Sequence, residues 1–389
     1  MDQIHLTPNQ PGGAHQSYTG GSDPKNELHE GSRAQESVVD TGYMASSEVL
    51  RIFQSCGVPA LTHRLNSAAT YPKFPYCSDY SNIYHSRLEN GTDATVQCIR
   101  MSVKSSEEHT LKSIAHDLHI WSKCNHPNIL EVFGATEFHG EVAIISPWAE
   151  PLHLFLYEGT DAPVDVYGLC VQIAEAVAYL HHTEIVRAIK SFIPQVHGDI
   201  NGMNILVSKD RTIKLSGFGN GKISRSIITR PMDGPSELVL FLVRWASPEA
   251  LSKDMKGPTV HSDVYSLAMT ILEIISGLEP YHDVQAIQFV IANIMRGIPP
   301  NRPAQLSDDI GRADRLWALL ENCWAFDPST RPTASHVLEV MKELSAMTPS
   351  QGNARSASLP PLTTPLYSKP PPPAEEQFTD SEHAVSQKE

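Results

Sequence analysis

Val196-His197-Gly198-Asp199-Ile200-Asn201-Gly202-Met203-Asn204-Ile205-Leu206 is the stretch on which the reading of this chain turns. It follows an amphipathic helical pattern and runs into a short apolar segment with strand character. An Asp and an Asn at this spacing, between a helix and a strand, suit phosphoryl transfer. The acid orients an attacking hydroxyl or accepts its proton, and the amide oxygen holds a metal ion. Alone the spacing is a weak signal; its weight comes from the flanking sequence.

Just upstream, Val166, Leu169, Cys170, Ile173, Val177 and Leu180 form an apolar stripe that predicts a helix over 164–181. Downstream, 263–276 (DVYSLAMTILEIIS) is apolar on nearly every side, the pattern of a helix buried at the centre of a lobe. Further helices fit 284–296, 312–323 and 334–345. Nearer the N-terminus, Leu111, Ile114, Leu118 and Trp121 recur at spacings of three and four and predict a helix over 107–123. Segments 81–87 and 95–101 flank Glu89-Asn90-Gly91-Thr92 and read as a β-hairpin. Two more short strands fit 130–133 and 141–145. A small β-rich unit followed by a larger helical one is α+β by class.

Asp and Glu total 44 against 30 Lys and Arg, a net charge of −14 over 389 residues. That balance argues against binding nucleic acid or an anionic membrane. No apolar run is long enough to span a bilayer, and MDQIHLTPNQ has no signal-peptide core, so the expected location is the cytoplasm, with the nucleus as the alternative. The 6 Cys are scattered without a C-x-x-C and read as reduced structural thiols. His116 and His119 share a helix face without a third ligand and read as a solvated pair rather than a metal site. Residues 1–45, rich in Gly, Ser, Asn, Gln and His, are expected to be disordered. A short helical lead-in over 46–65 is opened by Ser46 and Ser47. The organised block runs over 66–346. The tail 347–389 carries Pro360, Pro361, Pro365 and the run 370–373; it reads either as a plain solvated terminus or as a docking segment for SH3- or WW-type domains.

The central stretch resembles the catalytic loop of protein kinases, in the His-Gly-Asp form common in the tyrosine-kinase-like group and its fungal expansions. Other pieces follow in order. His126-Pro127-Asn128-Ile129-Leu130 resembles the turn after helix C. Ser146-Pro147-Trp148-Ala149 resembles the gatekeeper and hinge. Trp245-Ala246-Ser247-Pro248-Glu249 resembles the end of the activation segment. Ser262-Asp263-Val264-Tyr265-Ser266 resembles the start of helix F, and Cys323-Trp324 through Arg331-Pro332 the last helices. The resemblance implies a two-lobed protein-kinase-like fold. The N-lobe would hold a five-stranded sheet and helix C; the C-lobe would centre on the 263–276 helix. Asp263 would be a structural residue, and Glu249 would pair with Arg331.

The same resemblance exposes departures. The three glycines that let the backbone wrap ATP phosphates fall on Tyr76, Ser78 and Ser81. The strand-3 Lys falls on Arg100 and its helix-C partner on Asp117; the two serve the nucleotide or simply form an ion pair holding helix C inward. With Ser146, Trp148 and Ala149 they make up a degraded nucleotide pocket. The magnesium-binding Asp-Phe-Gly falls on Gly217-Phe218-Gly219, leaving Asn204 as the only and weak metal ligand. The catalytic-loop Lys falls on Asn201, and the Arg that docks a phosphorylated activation loop falls on Gly198. His197, Phe218 and Trp121 remain as members of an apolar packing spine. About nine extra residues, 187–195, precede the loop. The apolar run 238–243 either packs on the lobe or makes a partner surface. Asp199 and Asn204 serve residual catalysis or hydrogen-bond the loop backbone. The expected function is a pseudokinase that acts as a scaffold or allosteric partner of signalling proteins, an active kinase among them, with no cofactor. The alternative is a weakly active serine/threonine kinase that uses Asp199, Asn204, ATP and Mg²⁺.

Overall fold

The computed structural model describes residues 44–61, 65, 81–99, 108–157, 164–182, 195–218, 237–252, 257–307 and 310–347. The chain divides into two units, Met1–Thr41 and Gly42–Glu389, and every described residue lies in the second. Helix α1 (Ser46–Ser55) precedes strands β1 (Ser81–Arg87) and β2 (Asp93–Ile99). Helix α2 (Glu108–Lys123) and strands β3 (Gly134–Phe138) and β4 (Glu141–Pro147) follow. The four strands form an antiparallel sheet in the order β1-β2-β4-β3. At the hairpin tip, Gly91 takes φ 86° and donates to Leu88 O, while Thr92 N donates to the Asn90 side chain. Strand alternation divides the sheet. Val96, Cys98, Ala143 and Ile145 bury one face with Leu88; Val142 and Ile144 join the main core with Leu111, Ile114 and Leu118 of α2.

The second lobe begins with β5 (Glu150–Pro151), α3 (Leu152–Tyr157) and α4 (Val166–His182). Strands β6 (Ile205–Val207) and β7 (Ile213–Leu215) complete a three-stranded sheet in the order β5-β6-β7. Helices α5 (Glu237–Leu242), α6 (Pro248–Leu251), α7 (Val260–Ser276), α8 (Ile287–Met295), α9 (Ile310–Cys323) and α10 (Ala334–Ala346) follow. Helix α7 is the central one. Thr259 and Ser262 cap each other's backbone at its start, and Gly277 at φ 70° ends it. Nearly every residue from Ser262 to Ser276 is buried, which is why the sequence there lacks a polar face. Helix α4 packs between α7 and α10. No described helix is long and apolar enough to cross a membrane. Cys56, Cys98, Cys124, Cys170 and Cys323 are free thiols.

One strand expectation is corrected. Residues 130–133 are not a strand; β3 starts at Gly134. Leu130 N instead donates to Leu215 O at 2.9 Å, and the Trp121 indole donates to Leu130 O at 2.6 Å, so Leu130 stitches the lobes' seam. The run 238–243 forms α5 and the turn after it. Phe241 is buried, 5.2 Å from the Trp245 ring. Several expectations fall outside the described residues: the first of the five N-lobe strands, Tyr76, Ser78, Arg100, the extra residues up to 194, 1–43 and the Pro-rich tail.

Candidate functional site

The loop of His197 to Asn204 is hung from the central helix. Asp263, 1% exposed in the first turn of α7, accepts from Gly198 N and His197 N, each at 2.8 Å, and from His181 Nε2 at 3.0 Å. Gly198 is at φ +77°, and a Cβ there would lie 2.8 Å from Pro258 Cγ. The backbone therefore fits glycine and leaves no room for a long basic side chain.

His197 lies behind the loop. Its Nδ1 accepts from Asp199 N at 3.2 Å, so Nε2 carries the proton and donates to Ser216 O at 2.8 Å. Burial lowers its pKa, despite the nearby Asp263 charge, and keeps the ring neutral. Phe218 meets the His197 ring edge-on at 4.6 Å and stacks on Trp121 of α2 at 5.3 Å, only 13° from parallel. Three rings thus link α2 to the loop.

Asp199 faces neutral amides. Asn201 Nδ2 donates to its Oδ1 at 3.0 Å and Asn204 Nδ2 to its Oδ2 at 2.8 Å. Asn204 Nδ2 also reaches Asp199 O at 2.7 Å. Burial raises the Asp199 carboxyl to about 7, against the pull of these two hydrogen bonds and with a push from the Asp263 charge. Asn201 caps the turn Gly202–Asn204 by accepting from Met203 N at 3.0 Å.

Gly217 completes the picture. It sits at φ +88°, and a Cβ there would overlap the Asn204 carboxamide. Asn204 therefore packs against the backbone from which a metal-binding carboxylate would project. Its amide nitrogen is committed to Asp199. Among the described residues, the loop offers a magnesium ion one carboxylate, Asp199, whose two oxygens already accept from Asn201 and Asn204; Mg²⁺ asks for a near-octahedral oxygen shell with one or two carboxylates. Among the described residues, no group of three or more His, Cys, Asp and Glu is placed to hold a metal.

The hinge residues lie at the end of β4. Ser146 is buried opposite Thr95, and Ala149 is buried beyond it. Trp148 donates its backbone N–H to Asp93 O at 3.2 Å and lays its ring 4.1 Å from that of His85. The Asp93 carboxylate takes Lys209 of the second lobe at 2.6 Å and Arg87 at 3.0 Å; these cations lower it to about 2. Asp117 is half-buried on α2, and the expected pair with Arg100 lies outside the described residues.

Arg331 and Glu249 form a two-pronged pair, at 2.6 and 2.8 Å, and Arg331 also donates to His261 O and Ala325 O. Burial alone would raise Glu249; the hydrogen bonds and charge of Arg331 outweigh it, and the pKa is lowered. Sequence reasoning missed two supports. Glu273 of α7 accepts from the Trp245 indole at 3.0 Å and underlies Gly202. Arg244, buried, donates to Pro280 O at 3.0 Å and Tyr281 O at 2.8 Å. A lone acid inside an apolar helix was the signal available for Glu273.

Residues 77–341, more than half of the chain, match the family described as protein tyrosine and serine/threonine kinase. A probable serine/threonine-protein kinase of Dictyostelium discoideum is 26% identical over 259 residues, 65% of this chain and 47% of that protein. Serine/threonine-protein kinase STY17 of Arabidopsis thaliana is 22% identical over 238 residues, 60% of this chain and 38% of that protein. Mitogen-activated protein kinase kinase kinase 9 of Arabidopsis thaliana is 28% identical over 265 residues, 67% of this chain and 31% of that protein. The match spans less than half the length of each of these relatives. With the Asp263-hung loop, the Trp121–Phe218–His197 stack and the Glu249–Arg331 pair set in a two-lobed α+β frame, this chain belongs to the protein kinase family.

Proposed function

We propose that this kinase-family chain is a catalytically impaired pseudokinase, a signalling scaffold or allosteric partner rather than a phosphoryl-transfer enzyme. The observation that carries this is Asn204 packed onto Gly217, with its amide turned to Asp199. Phosphoryl transfer is almost wholly positioning and electrostatic stabilisation, and the ion that supplies much of both lacks its carboxylate here. The catalytic-loop Lys is Asn201, which serves as a cap. The groups that organise a kinase lobe remain: Asp263, Arg331 and the three stacked rings. No cofactor is needed for such a role. Its partners are signalling proteins, an active kinase among them, in the cytoplasm or nucleus, and SH3- or WW-type domains at the Pro-rich tail.

One observation favours the second reading, a weak serine/threonine kinase using ATP and Mg²⁺. Asp199 keeps the place of the catalytic acid and titrates near neutrality, where a general base is most effective. The named relatives, serine/threonine kinases among them, point the same way. Radiolabel transfer from ATP to a generic protein substrate separates the readings. We expect no transfer above the Asp199→Asn variant. Clear transfer that Asp199→Asn abolishes would overturn the pseudokinase reading.

A further inference from the structure

Helix α2 is covered in part by the chain's own N-terminal segment. Helix α1 lies against α2, β3 and β4. Its Val49 and Phe53, with Val58 just beyond, are buried in the same core as Leu111, Ile114, Leu118 and Trp121; Phe53 has no exposed surface at all. Past α1 the contact becomes polar and specific. His119 of α2 donates from Nδ1 to Gly57 O at 2.6 Å, and Gly57 (φ +92°) brings its Cα so close that a Cβ would meet the His119 ring at 2.7 Å. The segment then runs along the outer edge of the sheet. Ala135 N donates to Pro59 O at 2.8 Å and Leu61 N to Ala135 O at 3.0 Å, a parallel bridge that occupies the free edge of β3. This approach is open only because residue 134 is glycine; a Cβ there would stand 2.7 Å from Leu61 N. Ser46 at the other end of α1 donates to Gly140 O in the β3–β4 turn.

Residues 46–61 therefore grip α2 from behind and the sheet from its edge at once. The same helix carries Trp121 onto Phe218, and Phe218 onto His197. We infer that this segment is a built-in clamp. It fixes α2 against the sheet, so that the ring stack and the loop behind it are held by the chain's own N-terminal segment, without a nucleotide or partner. The inference does not depend on whether the chain transfers phosphate.

Amide hydrogen exchange on the full chain tests it. Phe53→Ala is expected to speed exchange of the buried α2 amides around Leu118 and Trp121 at least tenfold, with the Ser216 amide following and the α7 amides unchanged. Opening of α1 with α2 exchange left at the wild-type rate would overturn the clamp. Should Phe53→Ala fail to fold, Gly57→Ala and His119→Ala carry the same test, because each acts at the rim without emptying the core. Each is expected to speed α2 exchange severalfold, and wild-type α2 rates in both would overturn the inference.

Discussion

Two carboxylates withdrawn from solvent in the same lobe are treated in opposite ways. Glu249 meets a guanidinium, which donates to both of its oxygens, and its pKa falls. Asp199 meets the side-chain amides of Asn201 and Asn204, and its pKa climbs to about 7. Burial opposes the charged form at both positions; what differs is whether a cation answers it. The cation is present where it fastens α6 to the segment before α10. Beside Asp199 the described partners are neutral: the side-chain amides of Asn201 and Asn204. A cation answers the carboxylate that organises the lobe, and amides answer the one in the loop.

The strongest way to break that contrast is Arg331→Ala. It strands Glu249 and leaves two carbonyls without their donor, and chemical denaturation should register a loss of about 3–5 kcal/mol. The pair's contribution is present above the ordinary Glu value of 4.5 and is lost as pH falls through the lowered native pKa. The acid limb of the stability profile should therefore shrink in the variant. A loss below about 1 kcal/mol would mean that the pair is no anchor.

Phe218→Ala comes next, because it empties the middle of the three-ring stack. A buried Phe→Ala change costs about 3–4 kcal/mol. The loss should be reduced in a Trp121→Ala background, since the two rings share one contact; strict additivity would show that the stack is not a unit.

Gly217→Asp probes the cleft directly. The new Cβ overlaps Asn204 at a positive φ, so thermal unfolding should show destabilisation of about 1–3 kcal/mol. Phosphate transfer should not appear, because Asn201 and the glycine-free loop remain. A stable variant that gains transfer would show that the missing acid alone had silenced the site.

The most diagnostic effect is a slope with pH, because its sign is reversed. The unfolded chain releases the Asp199 proton near 3.8, while the native state holds it to about 7. Stability therefore falls as pH rises between those values and levels off above them. Asp199→Asn should remove this slope, so that the variant gains on the wild type as pH rises from about 4 to about 8. Destabilisation at pH 8 would show that the ionised carboxylate is favoured in the native state.

Much of the frame was legible before any coordinates. The all-round apolar pattern of 263–276 specified a buried central helix, and the 3-and-4 spacing through Trp121 specified α2 and its inward face. The misplaced strand at 130–133 has a physical cause. Leu130, Val132 and Phe133 around Glu131 give a short apolar pattern, which does not say which backbone groups the segment bonds, and here Leu130 bonds across to Leu215 rather than along a sheet. Residues 46–61 read as a lead-in because α1 shows no more than a short amphipathic pattern. Its partners, His119 and Ala135, lie far along the chain.

The sequence by itself determined the lobed order of elements and which side chains stand at positions 201 and 217, because these follow from residue identity and periodicity. Only the tertiary structure decided what the remaining groups do. The rotamer of Asn204, the charge environment of Asp199 and the grip of α1 on α2 all depend on groups distant in sequence. Close packing brings those groups within a few ångströms, where sterics and hydrogen bonds select one arrangement. That residue 217 is a glycine without a ligating side chain is read from its letter. That Asn204 packs against it and turns its amide to Asp199 required the fold.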